Sequence, residues 1–141
     1  MCKSVELGKI IINMCLENQY ELNTSKLQKL LYFMQKLHLK KYNTPLFPEN
    51  IIAWVCGPAI DEIHKYFFQY HLGFSKENRQ PEKLAILDAE KPIICHVLSE
   101  YGTKSPMEMI QLSKLEPSWK QIWDDGNGNG KIIPIELLQE S

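Results

Sequence analysis

The stretch SKLQKLLYFMQKLHL, residues 25–39, carries a clear helical signal. Its long apolar side chains mostly recur at the i, i+3, i+4, i+7 spacing of one helix face. They are Leu27, Leu30, Leu31, Met34, Leu37 and Leu39. Ser25 and Gln28 have the spacing of a capping box, which predicts that the helix begins at Ser25. We expect its apolar face to lie in the core.

Helical patterns lie on both sides of this segment. Residues 5–18 predict an earlier helix. Further along, prolines indicate helix starts, because a proline in the first turn loses no hydrogen bond. Ser105, Pro106 and Glu108 supply an N-cap, a first helical residue and a capping box. The helices predicted after Pro92, Pro117 and Pro134 cover residues 93–101, 118–123 and 135–139, the first of them capped by Gly102.

The centre of the chain combines a strand signal with another proline. Residues 51–55 form a short β-prone run bounded by Asn50 and Gly57. Residues 132–133 are a candidate partner strand, although one sequence does not establish the pairing. Gly57-Pro58 predicts the start of a helix with Ile60, Ile63 and Phe67 on its apolar face, and Gly73 is expected to stop it.

Together these patterns predict a mainly α fold: a compact single domain over residues 1–141, with about six to eight helices and a few short β-strands. The length of 141 residues fits one domain, and 44% hydrophobic against 23% charged residues favours folding over disorder.

The near-zero net charge conceals an asymmetry along the chain. The first 43 residues hold seven lysines against three glutamates, and the remainder has a net charge of −5, which gives −1 in total. The balanced total argues against a free nucleic-acid-binding tail, and we do not expect direct nucleic-acid binding. The basic N-terminal third predicts a surface that steers an acidic partner.

We expect a cytoplasmic protein with no membrane partner. No apolar run reaches the roughly 18 residues of a membrane span, and the N-terminus has no signal-peptide pattern. The four cysteines, Cys2, Cys15, Cys56 and Cys95, match neither a zinc-ligand spacing nor a dense disulfide framework.

Residues 125–136 have the spacing of a twelve-residue calcium loop. Its oxygen ligands would come from Asp125, Asn127, Asn129, the Lys131 carbonyl and Glu136. Only two of these ligands are carboxylates, and no second loop pairs with this one. Asn-Gly repeats also form ordinary turns, because both residues tolerate a positive φ. Calcium binding and a plain turn both remain open, with the turn favoured.

Four lysines of the central segment lie along one side of the predicted helix. They are Lys26, Lys29, Lys36 and Lys40. Such a stripe is typical either of a surface that meets phosphates or an acidic protein, or of the solvated face of an amphipathic helix. The solvated face is the favoured interpretation.

Cysteine and histidine residues raise the question of a thiol nucleophile or a metal site. Cys56 with His64 and His71, or Cys95 beside His96, follows no metal motif, and a nucleophile would need a base brought close by the fold. We expect these cysteines to be small buried apolar residues instead, and we expect neither enzymatic activity nor a cofactor.

The motifs of the chain resemble those of a known family. They are residues 27–35 (LQKLLYFMQ), 45–47 (PLF) and 51–59 (IIAWVCGPA). The chain is similar to the Panacea domain of SocA-like antitoxins and phage-associated GepA-type proteins. A late Thr-His-x-x-x-Pro-Trp element of that family corresponds to residues 113–119 here, with the Thr-His pair replaced and one residue between Pro117 and Trp119.

The resemblance implies a mainly α-helical domain that neutralises a toxin by direct binding, in a bacterial or prophage toxin–antitoxin system. It also implies an adaptor role in some members, which deliver their toxin to a protease. The toxin would be the product of an adjacent gene. We expect Tyr32 or Tyr66 to be an exposed aromatic anchor for it. The residues expected to contact the partner are Lys26, Gln28, Lys29, Tyr32, Gln35, Lys36, Trp54, Tyr66 and Trp119. The alternative function is that of a calcium-binding regulatory protein.

Overall fold

Helix α2 runs through the middle of the molecule and contacts most other elements. The structure is a computed structural model that describes residues 2–81 and 86–141. Its helices are α1 (Lys3–Glu17), α2 (Thr24–Tyr42), α3 (Asp61–Tyr66), α4 (Glu90–Tyr101), α5 (Pro106–Ser113), α6 (Pro117–Trp123) and α7 (Ile135–Glu140). Single 3₁₀ turns cover Phe68–Tyr70, Lys76–Asn78 and Asp124–Gly126. The predicted mainly α fold is confirmed.

Burial of α2 extends around its whole circumference. Residues 26–35 are all buried, polar and apolar alike. Helices α1, α3, α4, α5 and α7 and the β-hairpin pack around it. A helix buried on every side differs from the amphipathic helix expected at a protein surface. The prediction of a solvated lysine face is therefore wrong for Lys26 and Lys29.

Several predicted helix starts agree with the structure. Helix α5 begins with the predicted capping box: the Glu108 N–H donates to Ser105 Oγ at 3.1 Å, and the Ser105 N–H donates to Glu108 Oε1 at 2.9 Å. Helices α6 and α7 begin at the expected places, and α4 begins two residues ahead of Pro92, which sits in its first turn.

The start of α2 differs from the prediction. Asn23 is its N-cap, and the side-chain oxygen of Asn23 accepts a hydrogen bond from the Lys26 N–H at 2.8 Å. The capping box predicted for Ser25 and Gln28 is therefore wrong, because Asn23 provides the cap two residues earlier.

The prediction of a helix from Gly57 to Gly73 is also wrong. Residues Gly57–Ala59 form strand β2, which pairs antiparallel with β1 (Ile52–Trp54), and α3 starts only at Asp61. The tight turn between the strands uses Gly57 at a φ of 106°. Residues 132–133, the candidate partner of the first strand, do pair with it: Ile52 forms a β-bridge with Ile132, and the Ile133 N–H donates to the Ile51 carbonyl at 2.8 Å.

None of the helices described in the structure is long and apolar enough to cross a membrane.

Candidate functional site

Lys26 joins three segments of the chain through its buried ammonium group. Its Nζ donates to the carbonyl oxygens of Glu21 at 2.5 Å, Gly102 at 2.8 Å and Lys104 at 2.6 Å. All three donors of the ammonium group are thereby used. Gly102 is the C-cap of α4, so the lysine also neutralises the negative end of that helix. Burial lowers the pKa of Lys26. This lysine has a structural role.

Lys29, three residues along the same helix, is equally buried but differently surrounded. Its side chain is 2% exposed, yet its Nζ has no hydrogen-bond or ion-pair partner among residues 2–81 and 86–141. Burial lowers the pKa of Lys29 to about 8, against a smaller opposing effect of the nearby Cys56. The amine is therefore mostly charged at neutral pH and lacks a compensating acceptor within the described fold.

Lys29 lines a cavity of about 190 Å³, which we call the Lys29 pocket. The residues that line it are Thr24, Ser25, Gln28, Lys29, Trp54, Cys56, His64, Phe68 and His71. None of them is acidic. Thr24 and Ser25 belong to the first turn of α2, whose N–H groups have no carbonyl partner within the helix and carry its positive end. The electrostatic character of the pocket is therefore that of an anion site.

The turn between β1 and β2 lies directly against the Lys29 side chain. A Cβ atom at Gly57 would be 3.3 Å from Lys29 Cε and 2.3 Å from Ser113 Oγ. Only glycine allows so close an approach at a φ of 106°. Gly57 thus sets the position of the hairpin over Lys29.

Four aromatic side chains, which we call the aromatic rim, follow one another along the pocket. Trp54 contacts His64 edge-on at 4.8 Å between ring centroids, His64 contacts Phe68 at 5.4 Å, and Phe68 stacks on His71 at 5.6 Å. Phe68 is 58% exposed, and the neighbouring Leu72 is 90% exposed. Exposed apolar side chains beside a charged cavity are typical of a binding surface.

A comparison with protein families gives one match. The family model described as "Antitoxin SocA-like, Panacea domain" matches residues 27–120, about two thirds of the chain. The chain belongs to this family of SocA-like Panacea domains. Comparison with curated proteins and with solved structures found no significant match. The segment matched to the Panacea family contains Lys29 and Gly57, so the pocket is built largely from the family region.

Within this Panacea domain, one cavity is lined by Cys56, His64 and His71. Their spacing in the sequence did not establish this proximity. Cys56 and Cys95 are exposed, so the expectation that they are buried is wrong; only Cys15 is buried, and burial raises the pKa of its thiol to about 11. Within the described ranges, no group of three or more His, Cys, Asp or Glu side chains is arranged to hold a metal ion.

Four other predicted contact residues are buried and bonded inside the Panacea fold. The Gln28 side-chain oxygen accepts from the Ile60 N–H at 2.8 Å, and Gln35 bonds the backbone of Leu46 and Phe47. The remaining two are aromatic. Tyr32 Oη donates to Glu116 Oε1 at 2.8 Å, and Trp119 Nε1 donates to the Trp54 carbonyl at 2.8 Å. The expectation that Tyr32 is an exposed anchor is wrong; burial raises its pKa.

The other predicted contact residues reach the surface. Lys36 is partly exposed and pairs with Glu116 at 2.6 Å. Lys40, which belongs to the lysine stripe but not to the predicted contact residues, is exposed. Tyr66 is 51% exposed, as expected, and the Lys9 Nζ lies 5.5 Å from its ring centroid. Trp54 is half-buried in the aromatic rim. Their contact with a partner stays a prediction.

Phe68 is the residue that sequence reasoning missed. Its signal was present: Phe67 lies on the apolar face of the segment, so the aromatic residue next to it turns outward. The burial of Lys29 also had a signal in the sequence: apolar side chains, including Tyr32 and Phe33, are present on every face of the helix.

The loop with calcium-binding spacing packs against the small sheet. The Lys131 carbonyl accepts a hydrogen bond from the Ala53 N–H at 2.9 Å, and the Gly130 N–H donates to the Ala53 carbonyl at 2.7 Å. A Cβ at Gly128 would lie 1.6 Å from the Ile122 carbonyl oxygen. Packing therefore explains Gly128, and positive φ angles of 97° and 81° explain Gly126 and Gly130. Calcium binding by Asp125, Asn127, Asn129, Lys131 and Glu136 stays a prediction.

A larger cavity of about 390 Å³ lies between residues 45–51 and 132–138. Its charged lining residue, Glu49, accepts a hydrogen bond from the Ser4 N–H, and Gln35 is bonded to the chain. The side chains of Glu49 and Gln35 are thus already engaged, unlike the Lys29 ammonium.

Proposed function

We propose that this protein is a non-enzymatic, antitoxin-like module that neutralises a partner toxin by direct binding. Membership of the SocA-like Panacea family supports an antitoxin role. The observation that carries the binding surface is a buried lysine that has no hydrogen-bond acceptor within the described residues and lines one cavity together with the exposed Phe68. We place the binding surface at the Lys29 pocket and the aromatic rim, together with Val55 and Leu72.

The composition of this surface resembles the energetic centre of a protein interface. Aromatic residues are enriched in such centres, and exposed leucine and valine side chains gain free energy when a partner removes them from water. Val55 is 62% exposed at the tip of the β-hairpin, and Leu72 follows the 3₁₀ turn that carries Phe68. Docking would therefore occlude the toxin without a chemical step.

Co-expression with the products of adjacent genes tests this function. Wild-type protein should restore growth against one toxin and co-purify with it. Leu72→Asp should weaken the complex about tenfold or more, because a charge replaces a fully exposed apolar contact. Ile135→Asp, which alters an exposed residue of the larger cavity instead, is the matched control and should bind normally.

Two results would contradict the proposal. If no adjacent product is toxic and neutralised, the antitoxin function is wrong. If Ile135→Asp abolishes neutralisation while Leu72→Asp does not, the binding surface lies at the larger cavity.

Delivery of the toxin to a protease would be a further step of the same function. It predicts that the half-life of the toxin in cells becomes shorter when this protein is co-expressed. Occlusion alone predicts an unchanged or longer half-life, so a chase experiment with blocked translation separates the two mechanisms.

A further inference from the structure

The Lys29 ammonium is the feature of the fold that most requires an external partner. Removing a charged group from water costs several kcal/mol unless an opposite charge or acceptors compensate. Lys26 shows that the segments packed around this helix can provide full compensation, with three carbonyl bonds from Glu21, Gly102 and Lys104. Lys29 Nζ has no such acceptor in the described parts of the chain and borders an open cavity.

The residues that line the cavity indicate the charge of the ligand that it favours. His64 and His71 line it together with the positive end of α2 at Thr24 and Ser25. No aspartate or glutamate is among its lining residues. An anion entering the pocket would therefore meet only favourable or neutral groups.

The size and charge of the cavity indicate which anion fits. Its volume of about 190 Å³ is below the roughly 300–1,000 Å³ of ordinary small-molecule sites. One fixed ammonium group acts as a point charge and matches a single negative charge, and no arginine lines the pocket to bind a doubly charged phosphate through two parallel hydrogen bonds. A single carboxylate on a short side chain fits both limits.

The residues around the opening of the pocket indicate which kind of molecule provides this carboxylate. Phe68 lines the pocket and is exposed, and the exposed Val55 and Leu72 are next in sequence to the lining residues Trp54 and His71; this apolar surface matches a protein surface better than a free metabolite. We propose that the Lys29 pocket receives the carboxylate of one aspartate or glutamate side chain of the partner protein, which pairs with Lys29 Nζ. This inference rests on the proposed function and names the chemistry of its central contact.

The first experiment tests the pocket without the toxin, using propionate as a mimic of an acidic side chain. Propionate is titrated at constant ionic strength while NMR follows the indole N–H of Trp54 and the amide of Ser25. Wild-type protein should show saturable shifts that propionamide, the neutral analogue, does not produce. Lys29→Met should weaken propionate binding about tenfold or more, and Lys41→Met, an exposed lysine on the same helix, should bind as wild type.

The second experiment uses the toxin identified by co-expression. Lys29→Met should weaken the complex about tenfold or more, whereas Lys41→Met should not. A carbodiimide, which joins amines to adjacent carboxylates, should cross-link Lys29 to one acidic residue of the toxin. Replacement of that residue by its amide should weaken binding of the wild-type protein but not of Lys29→Met.

The outcomes separate this inference from the proposed function. Equal propionate binding by wild type and Lys29→Met overturns the inference, as does a toxin complex unaffected by Lys29→Met, although toxin neutralisation would then still stand. If propionate binds but no toxin is found, the proposed function fails and the occupant is a free carboxylate, which also overturns the inference as stated. Lys29→Gln is the second variant. It removes the charge but keeps a polar side chain, so a loss of binding shared with Lys29→Met reflects the charge and not a change of packing.

Discussion

Lys26 and Lys29 lie three residues apart on one buried helix, and the described residues provide hydrogen-bond acceptors for the ammonium group of Lys26 but not for that of Lys29. The ammonium of Lys26 donates to three carbonyl oxygens at 2.5–2.8 Å, so its charge holds the end of α4 to the start of α2. That of Lys29 faces a cavity and has no acceptor within the described residues. The first lysine stabilises the fold, whereas the second is expected to cost stability in the free protein and is the residue for which we propose a ligand. Substitution of each lysine tests this contrast.

The largest effect is expected for Lys26→Met. The substitution leaves three carbonyl oxygens without their donor, at about 1–3 kcal/mol for each one that stays buried. We expect the free energy of unfolding to fall by about 3–5 kcal/mol in urea denaturation. Lys41→Met, at an exposed position, should change it by less than about 0.5 kcal/mol. A loss below about 1 kcal/mol for Lys26→Met would show that the carbonyls find other donors.

The opposite sign is expected for Lys29→Met. A pKa lowered from 10.5 to about 8 corresponds to a cost of about 3 kcal/mol for keeping the buried amine charged at pH 7. Methionine has a similar length and no charge, so the variant should be more stable than wild type by up to about 3 kcal/mol at pH 7. A destabilised Lys29→Met would mean that the ammonium is already compensated in the free protein.

The pH dependence of this difference provides a finer test. Below the folded-state pKa of about 8 the amine is charged in both folded and unfolded chains, and the full cost applies. Between pH 8 and 10.5 only the unfolded chain keeps the proton, so the stability of the wild type rises with pH. The advantage of Lys29→Met should therefore shrink by roughly 1 kcal/mol from pH 7 to pH 9. His64 and His71 are present in both proteins, and introducing Cys56→Ser into both removes the electrostatic effect of Cys56 on Lys29.

Gly57→Ala tests the close approach of the hairpin to Lys29. The new Cβ would lie 2.3 Å from Ser113 Oγ, at a φ of 106° that L-residues disfavour. We expect a loss of about 2 kcal/mol in thermal or urea unfolding. Adding Ser113→Ala should recover the part due to the clash but not the part due to the backbone. Full recovery would contradict the backbone contribution.

The smallest effect is expected for Lys36→Met, which extends the comparison to a partly exposed lysine of α2. Its ion pair with Glu116 is 2.6 Å long, but solvent reaches both side chains. We expect a loss of about 1 kcal/mol or less at low salt, and a smaller one in 1 M NaCl. Tyr32 still donates to Glu116 in this variant, which limits the loss. A loss as large as that of Lys26→Met would contradict the ranking of the three lysines.

Much of the fold could be predicted from local signals. The capping box of Ser105 and Glu108 and the proline of α6 specify helix starts within a few residues, and both are present in the structure. The start of α2 and the segment after Gly57 were mispredicted for a shared reason. Asn23 competes with Ser25 as a cap, and Gly57-Pro58 is compatible with either a strand turn or a helix start. Local sequence does not decide between such alternatives, because tertiary packing selects one of them.

The candidate site could be predicted only in part. Gln28, Lys29 and Trp54 were expected to meet a partner, and the structure places all three around one cavity. The sequence did not show that the same cavity is also lined by Cys56, His64, Phe68 and His71, because this depends on which helix faces meet in the fold. The lining residues are up to 47 positions apart along the chain, from Thr24 to His71. Spacing in sequence carries no information about such distances.

The sequence by itself determined that the apolar face of α2 lies in the core, that the fold is mainly α, and that lysine is concentrated in the first third of the chain. These properties depend on periodicity, caps and composition, which are local. Only the tertiary structure decided that three of those lysines, Lys9, Lys26 and Lys29, are buried, that Lys26 is bonded to three carbonyls, and that Lys29 lines a cavity. The fate of a buried charge depends on the acceptors that distant segments bring to it, and the fold alone sets their positions.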